Sequence, residues 1–225
     1  MDDHLFIQDL AQDTRLNSDN AQHIKRVLRK KPGDILHISD GKGTIWKTQL
    51  QSLDPVQVTI LEHTYYPPLS PYLTIIISII KPKNLELVIQ KATEIGINRL
   101  IITETAYSQI SLVDIQKKSA RFQTIATEAC KQAQRPHLLD IKIIPLPDIP
   151  RTSLNYLATT QAEQTPPLLT PEKEQDQSLF IGPEGGFAPH DYDHLSDFFP
   201  VRLTPYILRS ETAAIVGSGL LRQLS

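Results

Sequence analysis

Residues 73–96 read LTIIISIIKPKNLELVIQKATEIG, and two different hydrophobic periods meet within them. From 73 to 80 the chain is apolar residue after residue, interrupted only by Thr74 and Ser78. Alternation is needed only where one face of a strand meets water, so an unbroken run predicts a strand covered on both faces. Beyond Lys81-Pro82-Lys83 the spacing changes to Leu85, Val88, Ile89, Ala92 and Ile95, a stripe that predicts an amphipathic helix. Asn84 is its expected cap and Gly96 its expected stop.

The same alternation continues toward the C-terminus. Short apolar runs at 99–103, 139–144, 154–159 and 179–182 predict further buried strands. Between the first two, 115–134 predicts a helix with Phe122, Ile125, Ala126 and Ala129 inward, ending before Pro136. Strands alternating with helices define an α/β domain with a mainly parallel sheet. Residues 161–177, rich in Pro, Gln, Thr and Glu, read as a surface loop.

Toward the N-terminus the pattern differs. Three prolines in 64–71 remove backbone donors and restrict φ, so that stretch is expected to be an interdomain linker. Before it, 35–38, 44–46 and 56–60 predict short strands, the last alternating as a half-buried strand does. Asp40-Gly41-Lys42-Gly43 is hairpin chemistry, because glycine accepts the positive φ of tight turns. A helix over 19–30 would bury Ala21, Ile24, Val27 and Leu28 and leave its basic residues largely on other faces. The expected division is therefore a small β-rich domain at 1–68 and an α/β domain at 69–225.

Composition narrows the function. The 225 residues carry a net charge of −2, which argues against a protein that coats nucleic acid by bulk positive charge. Locally the balance is different. Between Lys25 and Lys47 seven basic residues face only Asp34 and Asp40, a surplus of five positive charges. No apolar run is long enough to span a bilayer and the first residues are acidic, so neither a membrane segment nor a signal peptide is expected. The one cysteine, Cys130, cannot form an internal disulfide, and no Cys/His cluster has metal-ligand spacing. A cytoplasmic protein without metal is the expectation, with Cys130 used for packing.

Two stretches carry candidate chemistry. In residues 179–187, LFIGPEGGF, a buried strand runs into a turn with three glycines. Glycines at the carboxyl end of a parallel strand let backbone groups approach a ligand, and open α/β sheets bind ligands there. No Gly-Lys-Ser/Thr follows and no Gly-x-Gly-x-x-Gly opens the α/β domain, which disfavours ATP and dinucleotides. An ordinary glycine-rich turn fits the same residues. In 206–214, YILRSETAA, apolar residues lead into a helix start with Ser210 as the expected cap. A helix N-terminus with Arg209 suits an anion, while a surface ion pair of Arg209 with Glu211 is the plainer alternative.

Taken in order, these stretches resemble the RsmE family of 16S ribosomal RNA uridine-N3 methyltransferases, in the SPOUT superfamily. The resemblance spans nearly the whole chain. It includes HIKRVLR at 23–29 with Gly33-Asp34, ELVIQKATEIGI at 86–97, and EACKQ at 128–132 with Arg135-Pro136. It closes with IGPEGGF at 181–187 and ILRSETA at 207–213. The resemblance implies a PUA-like β-barrel that binds RNA, followed by a SPOUT methyltransferase domain with a C-terminal trefoil knot. It also implies S-adenosyl-L-methionine as cofactor, a homodimer, and 16S ribosomal RNA, within the small subunit, as partner. Carried onto this sequence, Gly182, Gly186, Ile207, Leu208 and Thr212 are the expected cofactor contacts, joined by Thr159, Ile181 and Gly185. The sequence departs from the family at Thr204-Pro205-Tyr206, where Gly-x-Arg is usual, and at Ala188, where serine is usual.

Uridine N3 is a poor nucleophile while protonated, so a base must take its proton or a cation must stabilise its anion. Arg209 is expected to do the latter, with Glu211 or Glu184 orienting groups or accepting the proton. Glu184 also fits a structural role toward loop amides. His23, Arg26 and Arg29, with Lys91, are the expected RNA phosphate contacts. A SPOUT enzyme acting on a ribose 2′-hydroxyl or on transfer RNA, and a non-catalytic RNA-binding assembly factor, are the competing readings.

Overall fold

The computed structural model describes residues 5–162 and 175–223. Most of the expected loop at 161–177 lies outside the described residues. Two compact units emerge: Met1–Pro68 with Thr127–Leu138, and Leu69–Ala126 with Leu139–Ser225.

The first unit is built on a four-stranded sheet in the order β1-β2-β3-β4: β1 (Leu5–Ile7), β2 (Ile35–Ser39), β3 (Thr44–Leu53) and β4 (Val56–Tyr65). β1 runs parallel to β2, and the β2-β3 and β3-β4 pairs are antiparallel. Just after β1 the same segment reaches the far edge. Leu16 N–H donates to Val56 O at 2.9 Å, and Val58 N–H donates to Thr14 O at 3.1 Å. One stretch of chain thus covers both free edges and closes the sheet toward a barrel, which removes the unpaired edges that invite aggregation. Phe6, Leu10, Ile24, Leu36, Ile38, Trp46, Leu50 and Val58 fill its interior. Each fully buried side chain of this size stabilises the fold by about 1.5–3 kcal/mol before chain entropy is subtracted.

Three expectations change here. β3 continues to Leu53, and β4 continues to Tyr65, into the stretch the sequence sets aside as linker. Instead of one helix over 19–30 there are an α-helix α1 (Ser18–Gln22) and a π-helical turn (His23–Leu28) that ends at Arg29 with φ 50°. The wider i→i+5 turn rotates each residue less than an α-turn does. Leu28, four after Ile24, therefore still packs on the core, while Val27 swings out to 64% exposure.

The β2-β3 turn is held from inside and out. Asp40 accepts from Lys42 N–H at 2.7 Å and Thr44 N–H at 3.0 Å, while Gly43 N–H donates to Pro136 O at 3.0 Å. Gly43 has φ 113°, and a methyl there would lie 2.5 Å from Tyr66 O and 2.8 Å from the His137 ring. Gly43→Ala is expected to lower stability by about 1–3 kcal/mol from backbone strain alone, seen as an earlier urea midpoint.

Cys130 lies in the same unit, buried, its thiol donating to Arg135 O at 3.0 Å. Burial pushes the thiol up to about 11 from an ordinary value of 9.0. The folded chain therefore holds this proton more tightly than the unfolded chain. That contribution is whole below the unfolded value and is lost as pH rises through the folded one. The urea midpoint is expected to fall between pH 9 and 11, less steeply in Cys130→Ala, and native Cys130 to resist thiol reagents at pH 8 that label it after unfolding.

The second unit is a six-stranded, wholly parallel sheet in the order β10-β8-β9-β5-β6-β7. Its strands are β5 (Leu73–Ser78), β6 (Arg99–Thr103), β7 (Asp140–Ile143), β8 (Leu154–Ala158), β9 (Gln177–Ile181) and β10 (Phe199–Val201). Leu73, Ile75 and Ile77 face one layer, where α2 (Pro82–Ile95) and α6 (Ser210–Gln223) pack. Ile76, Ile101 and Phe180 face the other, with Leu146, Leu195 and Phe198. Both faces are covered, which is why β5 reads as an unbroken apolar run.

Helix boundaries differ from expectation for identifiable reasons. α2 begins at Pro82, whose missing N–H suits the first turn, so Asn84 sits inside the helix rather than capping it. Gly96 ends it with φ 95°. The helix expected over 115–134 is two: α3 (Leu112–Gln116), capped by the Ser111 hydroxyl accepting from Asp114 N–H, and α4 (Ser119–Gln132). α6 starts at Ser210, but Ala213 N–H donates to Arg209 O at 2.8 Å, so Arg209 rather than Ser210 holds the cap position.

Candidate functional site

Three chain segments meet beyond the carboxyl ends of β8, β9 and β10. Between them lies a cavity of about 610 Å³, within the range of about 300–1,000 Å³ typical of small-ligand sites. β9 enters the sheet between β8 and β5, and its chain leaves to form β10 beyond β8. Such a change of direction opens a crevice at the strand ends, the ordinary place for a ligand in an open α/β sheet.

Each wall has its own device. Thr159, directly after β8, donates its N–H to Val201 O at 2.9 Å, zipping β8 to the end of β10, and Gln161 N–H donates to Thr159 Oγ1 at 3.2 Å. After β9, Gly186 N–H donates to Pro183 O at 3.0 Å in a tight turn, with Gly186 at φ 73°. Phe187 then folds back so closely that a methyl on Gly182 would lie 2.8 Å from its ring. That ring meets Phe180 edge-on at 5.2 Å and Tyr192 at 5.8 Å.

The buried carboxylate of Asp191, 2% exposed, accepts from Ala188 N–H at 2.8 Å and Ala106 N–H at 3.2 Å. It ties the β9 turn to the loop after β6, and it satisfies the Ala188 backbone N–H at the start of the helical turn that follows. Asp191 belongs to α5 (Pro189–Tyr192), a single turn. Asp191→Ala leaves two amides without their partner, and a loss of about 2–4 kcal/mol is expected in thermal or urea unfolding.

The cavity gathers Thr159, Ile181, Gly182, Gly185, Gly186, Ile207 and Leu208 on its wall, together with Glu184 and Arg209. Glu211 and Thr212 are not on it. Thr212 is exposed, and Glu211 is half-buried with Oε2 inside and without a hydrogen-bond partner. Arg202, Thr204, Tyr206 and Ser210 also line the cavity and were not nominated from the sequence. Arg202 follows a three-residue strand containing Pro200, which left no periodic signal to read. Among the described residues, the charged ones on the wall are Glu184, Arg202 and Arg209, a surplus of one positive charge, and α6 adds its N-terminal dipole at Ser210.

Of the residues nominated for RNA, Arg26 and Arg29 are exposed, whereas His23 is half-buried with its ring against Phe6 at 6.0 Å. Lys91, in the second unit, is paired with Glu94 at 2.8 Å. No group of three His, Cys, Asp or Glu among the described residues could hold a metal, and no helix there is long and apolar enough to cross a membrane.

A parallel sheet with a glycine-walled cavity at its strand ends, joined to a small closed β unit, defines an α/β enzyme domain with an accessory module. The chain belongs to the RNA methyltransferase family: that domain family matches residues 68–222, and the RNA methyltransferase PUA domain matches 16–61. Ribosomal RNA small subunit methyltransferase E of Buchnera aphidicola subsp. Schizaphis graminum is 29% identical over 222 residues, covering 93% of this chain and 89% of its own. A Porphyromonas gingivalis structure described as a probable rRNA-methyltransferase superposes with a TM-score of 0.83 at 29% identity over 98% of both chains. A Legionella pneumophila methyltransferase, solved in complex with the bound cofactor SAM, has a TM-score of 0.81 at 25% identity, covering 98% of this chain and 96% of that one.

Proposed function

We propose that this protein uses S-adenosyl-L-methionine to methylate N3 of a specific uridine in 16S ribosomal RNA, acting in the cytoplasm on the small subunit. The observation that carries the proposal is the cavity formed where IGPEGGF and ILRSETA meet at the strand ends. Its volume, its close backbone at Gly182, Gly185 and Gly186, and its mixed walls suit a zwitterionic nucleoside. Thr159, Ile181, Gly182, Gly185, Gly186, Ile207 and Leu208 would hold it. The bound cofactor supplies a methyl group already activated on a cationic sulfur.

The protein's part is then to orient the uracil, exclude water and manage one proton. Arg209, exposed at the cavity wall, stabilises the negative charge that N3 acquires as its proton leaves. Glu184, the acid on the same wall, accepts that proton. Glu211, off the wall, orients the start of α6. Arg26, Arg29, His23 and Lys91 supply phosphate contacts that position the RNA without reading its sequence.

The PUA-like barrel for RNA takes 1–68 and the SPOUT domain with a trefoil knot takes 69–225, apart from 127–138, which belong to the first unit. Tyr206 and Ile207, 82% and 81% exposed beside the cavity, support a homodimer in which a second copy covers them. Sedimentation should give twice the monomer mass. Titration calorimetry tests the cofactor assignment: one saturable S-adenosylmethionine site per chain is expected, and absence of binding would favour the non-catalytic RNA-binding factor.

A further inference from the structure

The loop between β10 and α6 lacks the glycine and arginine usual at Thr204 and Tyr206, yet its backbone is held at three consecutive carbonyls. Arg202 Nε donates to Thr204 O at 3.1 Å, and Arg202 Nη2 donates to Pro205 O. Thr204 Oγ1 donates to Tyr206 O at 2.8 Å. Arg202 is itself anchored at its root, because Val201 is the last residue of β10 and its carbonyl accepts from Thr159 N–H. A planar guanidinium makes two directed bonds from one rigid plane, which a flexible ammonium cannot reproduce. Arg202, Thr204, Tyr206, Ile207 and Leu208 all line the cavity.

We infer that Arg202 is a positioning residue for the cofactor: with Thr204 it pre-forms the 204–206 backbone and so presents Ile207 and Leu208 to the ligand. The inference rests on the cofactor reading of this cavity. A loop already fixed before binding gives up less conformational freedom when the ligand arrives, so the clamp acts on affinity. It leaves the chemistry of methyl transfer to other groups.

The test compares wild type, Arg202→Ala, Arg202→Lys and Thr204→Val by calorimetry with S-adenosylmethionine and by steady-state methyl transfer. Arg202→Ala is expected to raise Kd and KM for the cofactor about tenfold or more, from loss of two charge-assisted hydrogen bonds. kcat at saturating cofactor should fall by less than about threefold, because transition-state contacts are untouched. Arg202→Lys should recover part of the affinity, and Thr204→Val should weaken binding in the same sense but less. If Arg202→Ala does not fold, the lysine and Thr204→Val variants decide by the same split. Unchanged cofactor Kd in the folded variants, or a fall in kcat with KM unmoved, would overturn the inference. Failure of wild type to bind S-adenosylmethionine would instead remove the cofactor reading itself.

Discussion

Arg209→Ala is expected to slow methyl transfer by about 10²–10³-fold, the usual loss when one preorganised stabiliser of developing charge is removed. Arg209 is exposed on the cavity wall, so truncating it opens no core void. Its backbone carbonyl, which accepts from Ala213 N–H, remains in place in the variant, and α6 keeps its start. The unfolding midpoint should therefore move little, by the equivalent of about 0.5 kcal/mol or less. Arg209→Lys retains the charge but not the fork, and should fall between the two. Kinetics should show the loss in kcat, with cofactor KM changing less, since the contact strengthens as N3 becomes anionic. Transfer at the wild-type rate in Arg209→Ala would take this residue out of the mechanism.

The second large effect is expected at Gly182. A methyl there would lie 2.8 Å from Phe187 Cε2 and 3.0 Å from Cζ. The ring cannot retreat freely, because Phe180 meets it edge-on at 5.2 Å and Tyr192 at 5.8 Å. Gly182→Ala must therefore shift the β9 turn or the strand end, both of which are cavity wall, and overpacking of this kind costs about 1–3 kcal/mol. Where that strain falls on the binding-competent arrangement, cofactor Kd rises by about 5–150-fold. Gly186→Ala, at another wall position, separates crowding from backbone strain. Gly186 has φ 73° with nothing within 4 Å of an added methyl, so only backbone strain of about 1–2 kcal/mol applies. Equal Kd values for Gly182→Ala and wild type would show that the turn does not shape the ligand site.

Much of the α/β unit was legible because burial on both faces writes itself as continuous apolar runs. Leu73 through Ile80 and Leu179 through Ile181 stand out for that reason. The short strand β10 did not, since Phe199 and Pro200 are exposed and only Val201 is buried. The π-helical turn at His23–Leu28 was illegible to a reading that assumes 3.6 residues per turn, and Val27 was misplaced in consequence. Asn84 offered a capping side chain, yet Pro82, already fitted to a first turn, set the start three residues earlier. The cavity's glycine wall could be read from LFIGPEGGF. Arg202 could not, because its value comes from folding onto carbonyls two and three residues ahead, and no residue spacing encodes that.

The most direct test supplies labelled S-adenosylmethionine to the purified protein with small ribosomal subunits lacking the modification, then digests the RNA and identifies the methylated nucleoside. Label in 3-methyluridine from 16S ribosomal RNA is expected, entering about 10²–10³-fold more slowly with Arg209→Ala. Label on a ribose 2′-oxygen or in transfer RNA, or none at all despite cofactor binding, would contradict it.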